Sequence, residues 1–197
     1  SNDALDNVIN VVASEGWKLI AEKNGVLIEE KHVPGSSINA VRTSAVLRNV
    51  DVRSIIRCIY EPTFEERKMI YDKLVSHEQI DEIRPEIVVA KSRFSTPFGV
   101  TPREFLMMRS LGQLEDGTYL ISVRSINRKD IPFDPNYVRG VSNNDIYLFP
   151  IDETRDVRVV SVDYIDPRGW MPAYVVNNYK QDAGDWLIKM QEVYSNK

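Results

Sequence analysis

The sequence predicts an α+β domain: a curved antiparallel sheet with one long amphipathic helix laid over its concave face. Three observations predict it. Apolar residues recur at helical spacing near both ends and around 52–74. The stretch from about 79 to 165 instead alternates apolar and polar residues between short turns. Strands segregated from helices in this way give α+β rather than α/β architecture.

The elements follow in order. Leu5, Val8, Ile9 and Val12 define a first amphipathic helix that Gly16 ends, with Trp17 and Leu19 as core anchors beyond it. Residues 25–31 and 38–47 read as strands joined by a Pro34-Gly35-Ser36 turn. Val41, Ala45 and Leu47 share one face of the second strand, and Arg42, Ser44 and Arg48 take the other. Val52, Ile55, Ile56 and Ile59 give a helix that Pro62 stops. Thr63-Phe64-Glu65-Glu66 is a capping box opening a second helix to about Leu74. Strands are expected at 79–84, 86–95, 103–111, 118–127, 145–151 and 157–165, with turns at Glu115-Asp116-Gly117 and Asp152-Glu153-Thr154. Gly169 and Pro172 introduce the final helix, whose stripe is Val175, Val176, Tyr179, Ala183, Trp186, Leu187, Met190, Val193 and Tyr194. Gly184 sits inside that stripe, either as a tolerated weak point or as a place where the helix bends.

Composition bounds the function. The 197 residues suit one domain, 1–197, without repeats or linkers. With 25 Lys plus Arg against 29 Asp plus Glu, the net charge is −4, which argues against a dedicated nucleic-acid binder. The apolar runs are too short to span a bilayer, and neither an N-x-[ST] acceptor nor a signal-peptide pattern occurs. A lone cysteine, Cys58, fits a reducing cytoplasm and reads as buried and inert. His32 and His77 have no partners at metal-ligand spacing, and no nucleotide, hydrolase or zinc-protease motif is present. The expectation is a non-enzymatic protein with no cofactor and no metal.

Four further patterns carry a family resemblance. Asp166-Pro167-Arg168-Gly169-Trp170-Met171-Pro172 followed by Val175-Val176-Asn177 resembles the D-x-x-G-x-x-P-x-x-x-x-N junction of START domains, the steroidogenic-acute-regulatory-related lipid-transfer modules. Tyr71-Asp72 lies where members show Trp-Asp, Pro102-Arg103-Glu104-Phe105 resembles their Arg-Asp-Phe strand start, and Val138-Arg139 resembles their Val-Arg. The resemblance implies a helix-grip fold enclosing a hydrophobic tunnel for one lipid, phospholipid or sterol-like. It also implies a monomer that contacts membranes transiently. Each buried methylene is worth about 0.8 kcal/mol, so a lipid with roughly 30 of them needs an apolar host to cross water.

The resemblance also implies lining residues. Phe105, Met107 and Arg109 share the inward face of one strand. Some sterol-binding members pair this arginine with an acidic residue on the preceding strand, where an ungapped register here puts Ala90, with Ser92 and Phe94 on the same face. Arg109 therefore meets a backbone carbonyl, an unseen carboxylate, or an anionic ligand group. Of the choline-cage positions, Ser92, Phe105 and Asn143 keep one aromatic, while Lys68 and Asp72 stand at the family's basic and acidic positions. Tyr119, Ile121, Val123 and Ser125 share a strand face, as do Tyr147 and Phe149, and the helix offers Val176, Tyr179, Ala183 and Leu187. In the loop 96–101, Phe98 and Val100 either dip into a membrane or cap the core. Two other functions use the same fold: a lipid sensor without net transfer, and an aromatic cyclase built on Asp163, Tyr164 and Arg109.

Overall fold

The computed structural model describes residues 14–151 and 155–195. The expected first helix and the Asp152-Glu153-Thr154 turn lie outside these described residues.

Ten strands form one sheet: β1 (Lys18–Lys23), β2 (Val26–Lys31), β3 (Ala40–Leu47), β4 (Leu74–Arg84), β5 (Ile87–Phe94), β6 (Arg103–Gln113), β7 (Tyr119–Ser125), β8 (Val138–Arg139), β9 (Val141–Pro150) and β10 (Val157–Asp166). Nine run in the order β1-β2-β3-β10-β9-β7-β6-β5-β4, and the two-residue β8 pairs with the start of β6 in parallel. The other pairings are antiparallel, so short turns suffice for most connections. The β10–β3 pairing is the long-range step that places the chain's last strand beside its third.

Among the described residues, four helices accompany the sheet: α1 (Val52–Tyr60), α2 (Phe64–Ile70), α3 (Ala173–Gln181) and α4 (Asp185–Tyr194). The α1 helix contains the predicted Val52, Ile55, Ile56 and Ile59 and ends before Pro62, and the Thr63–Glu66 capping box opens α2 with both reciprocal hydrogen bonds, 3.1 and 3.0 Å. The end expected near Leu74 comes earlier, at Ile70, because Leu74 begins β4.

Two apolar clusters sit on the inner face. The larger joins Val26 and Ile28 of β2, Leu148 and Val159 of the central strands, Ile55 and Ile59 of α1, and Trp186, Leu187 and Met190 of α4. The smaller comprises Phe105, Met107 and Val123, with Phe94 and Ile165 packed against them.

Three sequence expectations are corrected. Leu19 is 55% exposed on the edge strand β1 and anchors no core. Tyr147 and Phe149 stack on each other, alternating with Ile146 and Leu148, and only the latter pair joins the inner core. The single C-terminal helix is two, separated at 182–184. Gly184 explains the break: a Cβ there would meet Val26 Cγ1 at 2.8 Å and Ile28 Cδ1 at 3.1 Å. The backbone itself is pressed onto β2, which only glycine permits.

Candidate functional site

A belt of polar side chains crosses the inner face between the two apolar clusters. Strand alternation supplies it. Along β6, Arg109 follows Phe105 and Met107; along β10, Ser161 and Asp163 lie between Val159 and Ile165. Asp163 is opposite Asn144 of β9, and Ser161 is opposite Thr43 of β3. The Ser161 hydroxyl donates to the Asp163 carboxylate at 2.9 and 3.0 Å.

Three side chains around this belt are partly accessible and yet strongly desolvated. Tyr179 of α3 keeps 43% of its surface accessible, yet burial pushes its hydroxyl pKa far up, helped by the charge of Asp163. Asp163 and Tyr71 behave alike: both are part-buried, and burial raises both, Asp163 to about 7. Tyr71 stands edge-on to Phe94, which stands edge-on to Phe105, with ring centroids 6.4 and 5.9 Å apart. The wall so defined combines aromatic faces, one carboxyl and the α3 tyrosine.

The predicted lining residues divide. Tyr119, Val176, Tyr179 and Ala183 keep accessible surface. Phe105, Met107 and Val123 retain 4–8%. Ala90, Ser92, Ile121 and Leu187 have 0–1%, so they fill the core behind the wall. On β5 the residue opposite Arg109 is Val88, and Ala90, two residues on, is opposite Met107. Lys68 and Asp72 lie on the surface, where Lys68 donates to the Leu74 carbonyl at 2.7 Å and Asp72 pairs with Lys189. Phe98 is fully exposed, whereas Val100 is only 8% exposed and belongs to the interior. Gly99, at φ +84°, turns the loop so that the two point opposite ways.

Sequence reasoning overlooked two participants. Arg67 reads as one more charge in a charged helix, but it is 9% exposed and lies 4.9 Å over the Tyr71 ring. Its spacing, three residues after Phe64 and three before Ile70, was the available signal. Asp163 was weighed only as a cyclase ingredient. Arg109 donates through Nη1 to the Tyr60 carbonyl at the end of α1, 3.2 Å away, and burial together with Arg67 holds its pKa well below the ordinary arginine value. The same arginines and burial push His77 down to about 3, so it is neutral where its Nδ1 meets Ser92 Oγ at 2.9 Å. Cys58 is a free, buried thiol whose pKa burial raises, as its inert reading requires.

The motif residues form one connected unit. Arg103, 3% exposed, donates to the carbonyls of Pro167, Arg168 and Trp170 at 2.8–3.0 Å and also to that of Thr101. Glu104, 1% exposed, receives Arg93 at 2.8 Å and Arg139 at 2.6 Å. Gly169 lies against Val138 and Arg103, and a Cβ on Gly140 would come within 2.5 Å of the Phe105 ring. Arg103 thus ties the Phe98 loop to the 167–170 loop that enters α3.

A curved antiparallel sheet with helices from the C-terminal part of the chain packed on it defines the helix-grip class of folds. Within that class, the family model of the START domain matches residues 10–185, and the chain belongs to that family. It is 26% identical over 175 residues to mouse (Mus musculus) StAR-related lipid transfer protein 5, covering 84% of this chain and 79% of that protein. The human (Homo sapiens) protein of that name is 25% identical over 171 residues, covering 83% and 78%. Among solved structures, human StAR-related lipid transfer protein 5 superimposes with a TM-score of 0.86 at 18% identity, over 99% of this chain and 94% of that one. Human STARD10 gives 0.85 at 18% identity, over 98% and 78%. No helix among the described residues is long and apolar enough to cross a membrane.

Proposed function

We propose that this chain is a non-catalytic lipid carrier, which holds one lipid in the space between the sheet and α3 and exchanges it with membranes. The observation that carries the reading is the accessible yet desolvated face of Tyr179, with Tyr71 and Asp163 in the same condition. An interior wall that keeps aromatic surface unpacked forfeits contacts that a dense core would gain. An apolar guest restores them. The relatives named as lipid transfer proteins supply the class of guest.

Exchange requires a way in. Phe98 and Trp170, fully and 72% exposed, stand on loops that Arg103 holds together, and Tyr174, 57% exposed, follows in the first turn of α3. Aromatic side chains at such a rim partition into the headgroup region of a bilayer. Separation of α3 from the sheet, hinged at 182–184, then opens the space. Native mass spectrometry after incubation with vesicles of mixed phospholipids and sterol tests this reading. One lipid per protein is the expected result, and bare protein under all vesicle compositions would refute it.

A further inference from the structure

Among the described residues, Asp163 is a part-buried carboxylate with no cation beside it. Elsewhere on the sheet, Glu29, Glu104 and Asp145 each hold an arginine. Asp163 has the Ser161 hydroxyl of its own strand, at 2.9 and 3.0 Å. Arg109 is not its counter-ion. Across the sheet the row runs Asp163, Asn144, Val123 and Arg109, one residue per strand. Three strand spacings of about 4.8 Å therefore part the acid from the arginine, roughly 14 Å between their backbones. On its other side Asp163 is opposite Val41 of β3.

The surroundings of this carboxyl are aromatic and apolar. Tyr179 of α3 and Tyr71 both lie within range of its charge. The charged group that acts on it, Asp145, is also negative, and it alternates onto the outer face of β9, where Arg124 holds it. On the inner face Ile165 follows Asp163 by two residues and packs with Phe105, Met107 and Val123. Burial holds the Asp163 carboxyl at about 7, so without a partner part of its population is uncharged at neutral pH. An ammonium group supplies that partner through a charge-assisted hydrogen bond, and tyrosine rings favour a cation beside them. Resting on the carrier reading above, we propose that Asp163 is the binding point for a primary ammonium group, and that the guest is a lipid whose polar end carries one. Its ammonium meets the carboxylate near Tyr179, and its chain lies along Ile165, Phe105 and Val123.

The test is a competition between two lipids that differ in one group. Phosphatidylcholine vesicles carry equal small fractions of oleylamine and oleyl alcohol at pH 7.5. The protein is re-isolated after incubation, and its extracted lipid is measured by mass spectrometry. Wild type is expected to take up oleylamine over oleyl alcohol by at least about tenfold, the ratio that one charge-assisted hydrogen bond gives. Asp163→Asn is expected to bring that ratio to within about threefold of unity while its uptake of oleyl alcohol is unchanged. Should the asparagine variant not fold, Asp163→Val, with a β-branched apolar side chain suited to a strand, carries the test in its place. Equal uptake of amine and alcohol by wild type overturns the proposal, as does a ratio unchanged in the folded variant. Butylamine that raises the melting temperature as much as oleylamine does overturns it too, in favour of a site for free amines. Failure of wild type to take up oleylamine, oleyl alcohol or phosphatidylcholine refutes the carrier reading itself and is recognisable as that.

Discussion

Glu104 Oε1 accepts a hydrogen bond from Arg139 Nη2 at 2.6 Å, on the face of β6 opposite Phe105. Arg93 holds the other carboxylate oxygen at 2.8 Å and reaches Asp134 at 2.7 Å. With Glu104 1% exposed, this is a buried ion network whose central charge is satisfied on both sides. Removing the central charge leaves two guanidiniums facing each other. Glu104→Gln is expected to lower unfolding free energy by about 3–5 kcal/mol, measured by urea titration.

Arg103 works by geometry rather than by charge pairing. Arg103→Ala strips the 167–170 loop of its anchor and is expected to cost about 2–4 kcal/mol, since hydrogen bonds from a charged donor are each worth about 1.5–3 kcal/mol. Hydrogen exchange resolves where the loss falls: amides at 98–101 and 168–171 should exchange faster, with the amides of β3 and β10 little changed.

Gly184→Ala adds a methyl where the chain passes closest to β2. Gly184 is the N-cap of α4, a position at which alanine is disfavoured relative to glycine. Its Cβ would sit 2.8 Å from the branched Val26 side chain, which must shift. Overpacking costs about 1–3 kcal/mol, and a loss of that size is expected by thermal denaturation. The double variant Gly184→Ala with Val26→Ala should recover part of it.

Asp163 makes stability depend on pH in the direction opposite to most carboxylates. Its folded pKa is raised to about 7 from an ordinary 3.8, chiefly by burial. The folded state therefore binds more protons than the unfolded one between these values, and stability falls as pH rises from about 4 through about 7. The full shift bounds the loss at about 4 kcal/mol. Asp163→Asn removes it. The variant should gain stability over wild type at pH 8 and show no such gain near pH 3, in chemical denaturation run at both.

Much of this was legible in the sequence, and the misses have physical causes. Helix α1 and the central strands were marked by periodicity because they bury one face each. Strand β1 was missed since, at the sheet edge, it exposes Leu19 and gives little alternation. Two-residue β8 carries no period at all. The split in the C-terminal helix was half legible: Gly184 marked a weak point or a bend, but the apolar stripe runs through it, and the approach of Gly184 to the β2 side chains is defined only by tertiary structure. Among the candidate site residues, alternation put Phe105 and Arg109 on one strand face and helical spacing put Tyr179 on the apolar stripe, while the family resemblance supplied the inward direction. Arg67 was not, because a charged residue in a charged helix reads as solvated until its burial is seen.

Transfer between vesicles tests the central claim most directly. Donor vesicles with a self-quenched fluorescent phospholipid are mixed with excess acceptors, and catalytic amounts of protein are added. A carrier accelerates dequenching in proportion to protein, beyond one lipid per protein, and Phe98→Asp slows it several-fold while leaving the melting temperature unchanged. Dequenching no faster than in the protein-free control, across phospholipid and sterol probes, would contradict the account.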